Sequence, residues 1–132
     1  MCAFGGTVTD LGATILDADG LRLSAEEKRF FRDARPFGFI LFARNIDTPD
    51  QVRALCDDMR EAAGHDAMIT IDQEGGRVQR LRAPHWREWL PPLDHVHAAG
   101  RAAQRAMILR YRIIAAELNA LGIDSNCAPM AD

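Results

Sequence analysis

Asp72 ends the apolar run Ala67-Met68-Ile69-Thr70-Ile71 and opens the string Asp72-Gln73-Glu74-Gly75-Gly76-Arg77-Val78-Gln79-Arg80-Leu81. A carboxylate at the C-terminal end of a strand stands where α/β barrels place ligand-binding and catalytic side chains. It can accept hydrogen bonds from two adjacent hydroxyls at once, which suits a sugar diol. Gly75-Gly76 permits positive φ and close approach of a ligand, so the chain can fold back over the strand end. Arg77 and Arg80 then bring guanidinium donors toward the carboxylates of Asp72 and Glu74. Asp72 and Arg80 are therefore expected on one face, near enough to touch one ligand. An ion-paired turn with no ligand would use the same residues.

Other residues invite chemistry less strongly. His95 and His97 flank Val96 in what reads as a polar loop, and with no third ligand nearby a solvated loop outweighs a metal site; no metal is expected. His85, Trp86 and Trp89 offer aromatic faces for a saccharide, although a loop packed by its own tryptophans uses them equally well. Cys127, in a strand read as buried, fits a core residue better than a nucleophile. Arg44-Asn45 is expected to pair with Glu74 or Asp72 and support the site from below.

These residues need elements to hold them. Ala13–Leu16 reads as a buried strand closed by Asp17-Ala18-Asp19-Gly20. Ser24-Ala25-Glu26-Glu27 is a capping box opening a helix that should stop at Arg35, before Pro36. Gly38–Phe42 is a strand covered on both faces. Thr48-Pro49 caps a helix with Val52, Leu55, Cys56 and Met59 on one side, ending near Gly64. Residues 67–71 form a third strand. Gln73 to about Leu93 reads as a long, partly ordered loop of the kind that is commonly functional. A helix from about Ala98 to Leu121 repeats Met107, Tyr111, Ile114, Leu118 and Leu121 and is capped by Gly122; residues 123–128 give a fourth strand.

Strands alternating with helices indicate α/β architecture on a parallel sheet. Four strands are half of a (β/α)8 barrel, and such TIM-type barrels take ~250 residues. Residues 1–132 thus read as the N-terminal portion of one barrel domain, with the remainder needed to cover the sheet edges.

Composition narrows the class without naming a partner. The hydrophobic fraction of 48% and charged fraction of 27% are those of a globular domain. A net charge of −3 provides no field for nucleic acid or an anionic membrane, and no apolar run reaches the length of a membrane span. Cys2, Cys56 and Cys127 match neither a disulfide framework nor a zinc pattern, which points to a reducing compartment. With no secretory signal in residues 1–16, the expected location is the cytoplasm.

Three segments, Gly38–Asn45, Ile71–Leu81 and Asn126-Cys127-Ala128-Pro129-Met130-Ala131-Asp132, appear in the order and spacing of the family-3 glycoside hydrolases. From about Ala13 onward the chain most resembles the bacterial β-N-acetylhexosaminidases that remove N-acetylglucosamine in cell-wall recycling. The resemblance implies that Asp72 and Arg80 grip sugar hydroxyls in the non-reducing-end subsite, and it makes Asp132 a supporting residue at a strand end. It implies a retaining mechanism with an Asp nucleophile and a His–Asp acid/base. The segments that carry those groups in the family have no counterpart here, so no catalytic residue is assigned within residues 1–132, and no cofactor is expected. The substrate implied is an N-acetylglucosamine-containing saccharide. A family-3 β-glucosidase and a non-catalytic, sugar-binding or regulatory half-barrel are the alternatives. Against the last, unpaired strand edges invite aggregation.

Overall fold

A computed structural model describes residues 11–130. Asp132, named above as a supporting residue, and Cys2 lie outside the described residues.

The capping signals act as expected. Strand β1 (Gly12–Leu16) leads to helix α1 (Ala25–Ala34), whose N-cap Ser24 accepts from Glu27 N while the Glu27 carboxylate accepts from Ser24 N at 2.8 Å. Arg35 ends α1 in the left-handed region, φ 43°, and β2 (Pro36–Leu41) starts at the next residue. Helix α2 (Pro49–Ala63) is capped by the Thr48 hydroxyl and closed by Gly64 at φ 74°. Strand β3 (Met68–Ile71) follows.

The sheet is parallel with strand order β1-β2-β3-β6, where β6 is Ser125–Asn126. Register sets Phe39 beside Ile69 and Leu41 beside Ile71. Side chains alternate across a strand, so these four share one face, and all four are fully buried. They join Phe31 of α1, Val52, Leu55, Cys56 and Met59 of α2, and Ile114 and Leu118 further along in a single core. Phe31 meets Phe39 edge to face at 5.0 Å between ring centroids. Position 38 must be glycine: a Cβ there would lie 2.4 Å from the Met68 carbonyl oxygen of the neighbouring strand.

Four elements differ from the sequence reading. Strand β1, expected to be buried, is exposed from Ala13 to Ile15, at the outer edge of the sheet. The segment after Asp72 is not an open loop, since β4 (Gln73–Gly75) and β5 (Val78–Gln79) form an antiparallel hairpin. The long helix is two: α3 (Pro92–Ala99) and α4 (Ala103–Asn119), broken at Gly100 with φ 51°. His95 and His97 therefore stand on a helix. The last strand is short because only Ser125 and Asn126 pair in register with β3. Main-chain bonds from Asp124 N to Ile69 O and from Cys127 N to Ile71 O, both 2.9 Å, extend the contact on either side. Gly122 does close the preceding helical segment, at φ 79°, with Ile123 N reaching back to Leu118 O. At the opposite end of the sheet, Arg60 of α2 ties down the start of β6 through Asp124 at 2.7 Å and the Gly122 carbonyl at 2.8 Å.

Parallel strands alternating with helices, each strand beside its predecessor, reproduce the arrangement expected for half of a (β/α)8 barrel. No helix of the described residues is long and apolar enough to cross a membrane.

Candidate functional site

The C-terminal ends of the strands gather the residues singled out above. Asp72 follows β3 directly. Gly75 and Gly76, with φ of 110° and 64°, turn the chain back through β5. Arg80 then faces Asp72, its Nη2 donating to the carboxylate at 2.7 Å. Both side chains are three-quarters or more buried, with 25% and 20% exposure, so the pair sits in a recess rather than on an open surface. The Arg80 guanidinium also lies over the Phe42 ring, 5.7 Å from its centroid, at the end of β2. Asp72 Oδ1 has no hydrogen bond among the described residues, and Arg80 Nε is buried without a partner. One carboxylate oxygen is thus left over beside a formed ion pair, while the unmatched Nε is closed off from a ligand.

The hairpin depends on buried carboxamides. Gln73 is fully buried. Its Oε1 accepts from Arg80 N and Leu81 N, and its Nε2 donates to Leu81 O, each at 3.0 Å. Asn126 of β6 brackets the Gln73 backbone, accepting from its N at 2.9 Å and donating to its O at 3.2 Å. Gln79 donates to Leu81 O and Arg87 O and accepts from Trp89 N. Buried polar groups must be matched in this way or they cost stability. None of the three was identified from the sequence; the available signal was a neutral carboxamide recurring within an otherwise ionic string.

A buried charged residue also went unread. Arg110 of α4 is 1% exposed. It donates to the Glu74 carbonyl and shares a 2.9 Å hydrogen bond with His95 Nδ1. The Trp89 ring lies 5.3 Å from its guanidinium carbon. Burial pulls its pKa below the ordinary guanidinium value, with Tyr111 opposing the shift.

The remaining expectations divide. Glu74 lines a hollow of about 420 Å³ with Pro91, Leu93, Val96, Tyr111 and Met130, and its carboxylate takes part in no ion pair among the described residues. Arg77 is exposed and has no carboxylate within ion-pair distance there, so it does not reach Asp72 or Glu74 as expected. Arg44 does not support Asp72 or Glu74 either. It pairs with Asp17 and donates to Ala18 O at 3.1 Å, because the loop after β1 returns beneath it. Asn45 donates to Ala18 O and Gly20 O, both 2.9 Å, and so fastens the same loop.

Trp89 stacks on His95 and carries the guanidinium groups of Arg87 and Arg110, which occupies its faces. Trp86 packs against the core with the exposed His85 at its edge. Cys127 is exposed rather than core, its Sγ 3.7 Å from Thr70 Oγ1. Among the described residues no cluster of His, Cys, Asp and Glu is arranged to hold a metal ion.

Residues 8–132 match the family described as Glycosyl hydrolase family 3 N terminal domain. A protein named Beta-hexosaminidase from Methylococcus capsulatus is 41% identical over 119 residues, covering 89% of this chain and 35% of its own length. A Beta-hexosaminidase of Pseudomonas aeruginosa is 40% identical over 121 residues, 92% of this chain and 35% of that protein. The chain therefore spans about 35% of the length of these curated relatives. Among solved structures, NagZ from Neisseria gonorrhoeae in complex with N-trifluoroacetyl-D-glucosamine aligns with a TM-score of 0.79 at 31% identity, over 90% of this chain and 36% of that one. A glycoside hydrolase family 3 β-N-acetylglucosaminidase from Paenibacillus aligns with a TM-score of 0.74 at 33% identity, over 87% of this chain and 22% of that one. By the extent of the family match, and by the fold it shares with these structures, the chain belongs to glycosyl hydrolase family 3 and lies within its N-terminal domain.

Proposed function

We propose that this chain forms the sugar-gripping part of a β-N-acetylhexosaminidase whose barrel is completed by further sequence. The observation that carries the reading is the Asp72–Arg80 pair, recessed at the C-terminal end of β3, with one carboxylate oxygen of Asp72 free of hydrogen bonds among the described residues. Such a pair can hold adjacent sugar hydroxyls, the carboxylate accepting from one or two of them and the guanidinium donating to their oxygens. Support comes from relatives named Beta-hexosaminidase and from the N-trifluoroacetyl-D-glucosamine bound in the NagZ structure. The substrate is then a saccharide ending in β-linked N-acetylglucosamine, drawn from peptidoglycan fragments recycled in the cytoplasm.

Gripping orients the sugar and does not cleave it. A retaining glycosidase needs a nucleophile and an acid/base on either side of one glycosidic bond. Asp72 is committed to Arg80, and no residue of 1–132 matches the family's nucleophile or its His–Asp acid/base. Those groups belong to the rest of the barrel, which would also cover the outer strands.

The test is kinetic. In the full-length enzyme Asp72→Ala should remove charge-assisted hydrogen bonds of ~1.5–3 kcal/mol each and lower kcat/KM on an aryl β-N-acetylglucosaminide at least about tenfold. Hydrolysis at the unmutated rate would refute the grip. Greater activity on the matching β-glucoside would refute the substrate. Residues 1–132 alone should show no turnover.

A further inference from the structure

We infer that Gln73 is the positioning residue for Arg80, an inference that rests on the reading of Asp72 and Arg80 as the sugar grip. The β4–β5 ladder reaches only the Gln73–Gln79 pair. Beyond it, residues 80 and 81 have no strand to pair with, yet Arg80 must leave the backbone at one angle for its guanidinium to span to Asp72. The Gln73 side chain supplies the missing partner. One carboxamide takes the N–H groups of Arg80 and Leu81 and returns a donor to the Leu81 carbonyl, three bonds of the kind a neighbouring strand would make.

The carboxamide is itself fixed. Asn126 brackets the Gln73 backbone from β6, and the residue has no exposed surface. Gln73 therefore links the end of β6, through its own backbone and side chain, to the main chain of Arg80. It touches neither the Arg80 guanidinium nor the Asp72 carboxylate, so its effect on sugar binding must pass through where Arg80 is placed.

Only a carboxamide of this length accepts twice and donates once here. Glutamate keeps the acceptors but turns an oxygen toward the Leu81 carbonyl; methionine keeps the volume and leaves the Arg80 and Leu81 N–H groups unmatched, the Leu81 carbonyl keeping its bond from Gln79.

A double-mutant cycle in the full-length enzyme separates positioning from general damage. Gln73→Glu should lower kcat/KM on an aryl β-N-acetylglucosaminide about tenfold, chiefly through KM. In an Arg80→Ala background the same substitution should cost less than about twofold further, because the group it places is gone. If Gln73→Glu does not fold, Gln73→Met carries the same cycle. Equal fractional losses from the Gln73 variant in both backgrounds, with Arg80→Ala itself impaired, would overturn the positioning role and leave the grip standing. An Arg80→Ala enzyme of unmutated activity would overturn the grip and the positioning role together.

Discussion

The buried guanidinium of Arg110 occupies the space in which a side chain on Gly75 would stand. A Cβ at position 75 would run into Arg110 Nη2 and would lie 2.6 Å from the Leu90 carbonyl oxygen. The residue also holds φ at 110°, where side chains are strained by ~1–3 kcal/mol. Gly75→Ala should therefore lose at least ~2 kcal/mol, strain and overpacking acting together. Thermal unfolding of the full-length variant measures it; an unchanged Tm would mean that the hairpin can be rebuilt without the glycine.

Arg110 should not tolerate lysine. Its planar group serves the Glu74 carbonyl and His95 Nδ1 in two directions while packing on Trp89, and an ammonium on a single stem cannot reproduce that fork. Arg110→Lys is expected to cost ~1–3 kcal/mol through the polar groups it leaves unmatched. Denaturant unfolding checks this, and a loss below ~0.5 kcal/mol would show that lysine, with water, meets the same needs.

The α1 capping box gives a prediction away from the site. Ser24→Ala removes the acceptor for Glu27 N and should destabilise by about 1 kcal/mol.

Glu27 adds a pH dependence to it. Burial raises the Glu27 carboxyl pKa, but hydrogen bonds from the Asp19 and Ser24 backbone and from the Ser24 side chain outweigh it, and the net shift is downward. A carboxyl depressed by folding stabilises above its unfolded pKa, and the effect fades as pH falls through the lower folded value. The Tm gap between the native sequence and Glu27→Gln should then be full at neutral pH and close below about pH 4. A gap independent of pH would contradict the assignment.

Cys56 lies at the centre of α2 with no exposed surface, and burial pushes its thiol up to about 12. Only the thiolate alkylates readily. At pH 8 the folded protein should leave Cys56 unmodified by iodoacetamide, as read by peptide mass mapping, and urea should expose it. Labelling without denaturant would indicate that α2 opens locally.

What could be read from the sequence was what is decided locally. Ser24, Thr48-Pro49 and Gly64 each set a helix end through contacts within a few residues, and the apolar runs at 38–42 and 67–71 leave no choice but burial. The break at Gly100 escaped because alanine-rich helical sequence continues on both sides, and one glycine costs only ~1 kcal/mol in a helix. Arg110 escaped because a charged residue between Met107 and Tyr111 reads as solvated; its partners lie 15 and 36 residues away. Arg44 was assigned to Asp72 or Glu74 on strand-end proximity alone, whereas the returning 17–20 loop reached it first. For Gln73 and Asn126 the residue types were visible, but the 53-residue separation of the two is a product of the folded sheet.

Strand order that follows chain order has a consequence for how the molecule is made. Within the described sheet β2, β3 and β6 each pair with the sheet strand translated before them, so none of these pairings waits for chain beyond β6. Emerging at ~5–20 residues per second, the chain can lay down its sheet from one edge as it leaves the ribosome. The Asp72 carboxylate is then in place on β3 before β6 exists, whereas the Asn126 bracket on Gln73 forms last. The nascent site acquires its charges early and its fixed geometry only when the fourth strand docks.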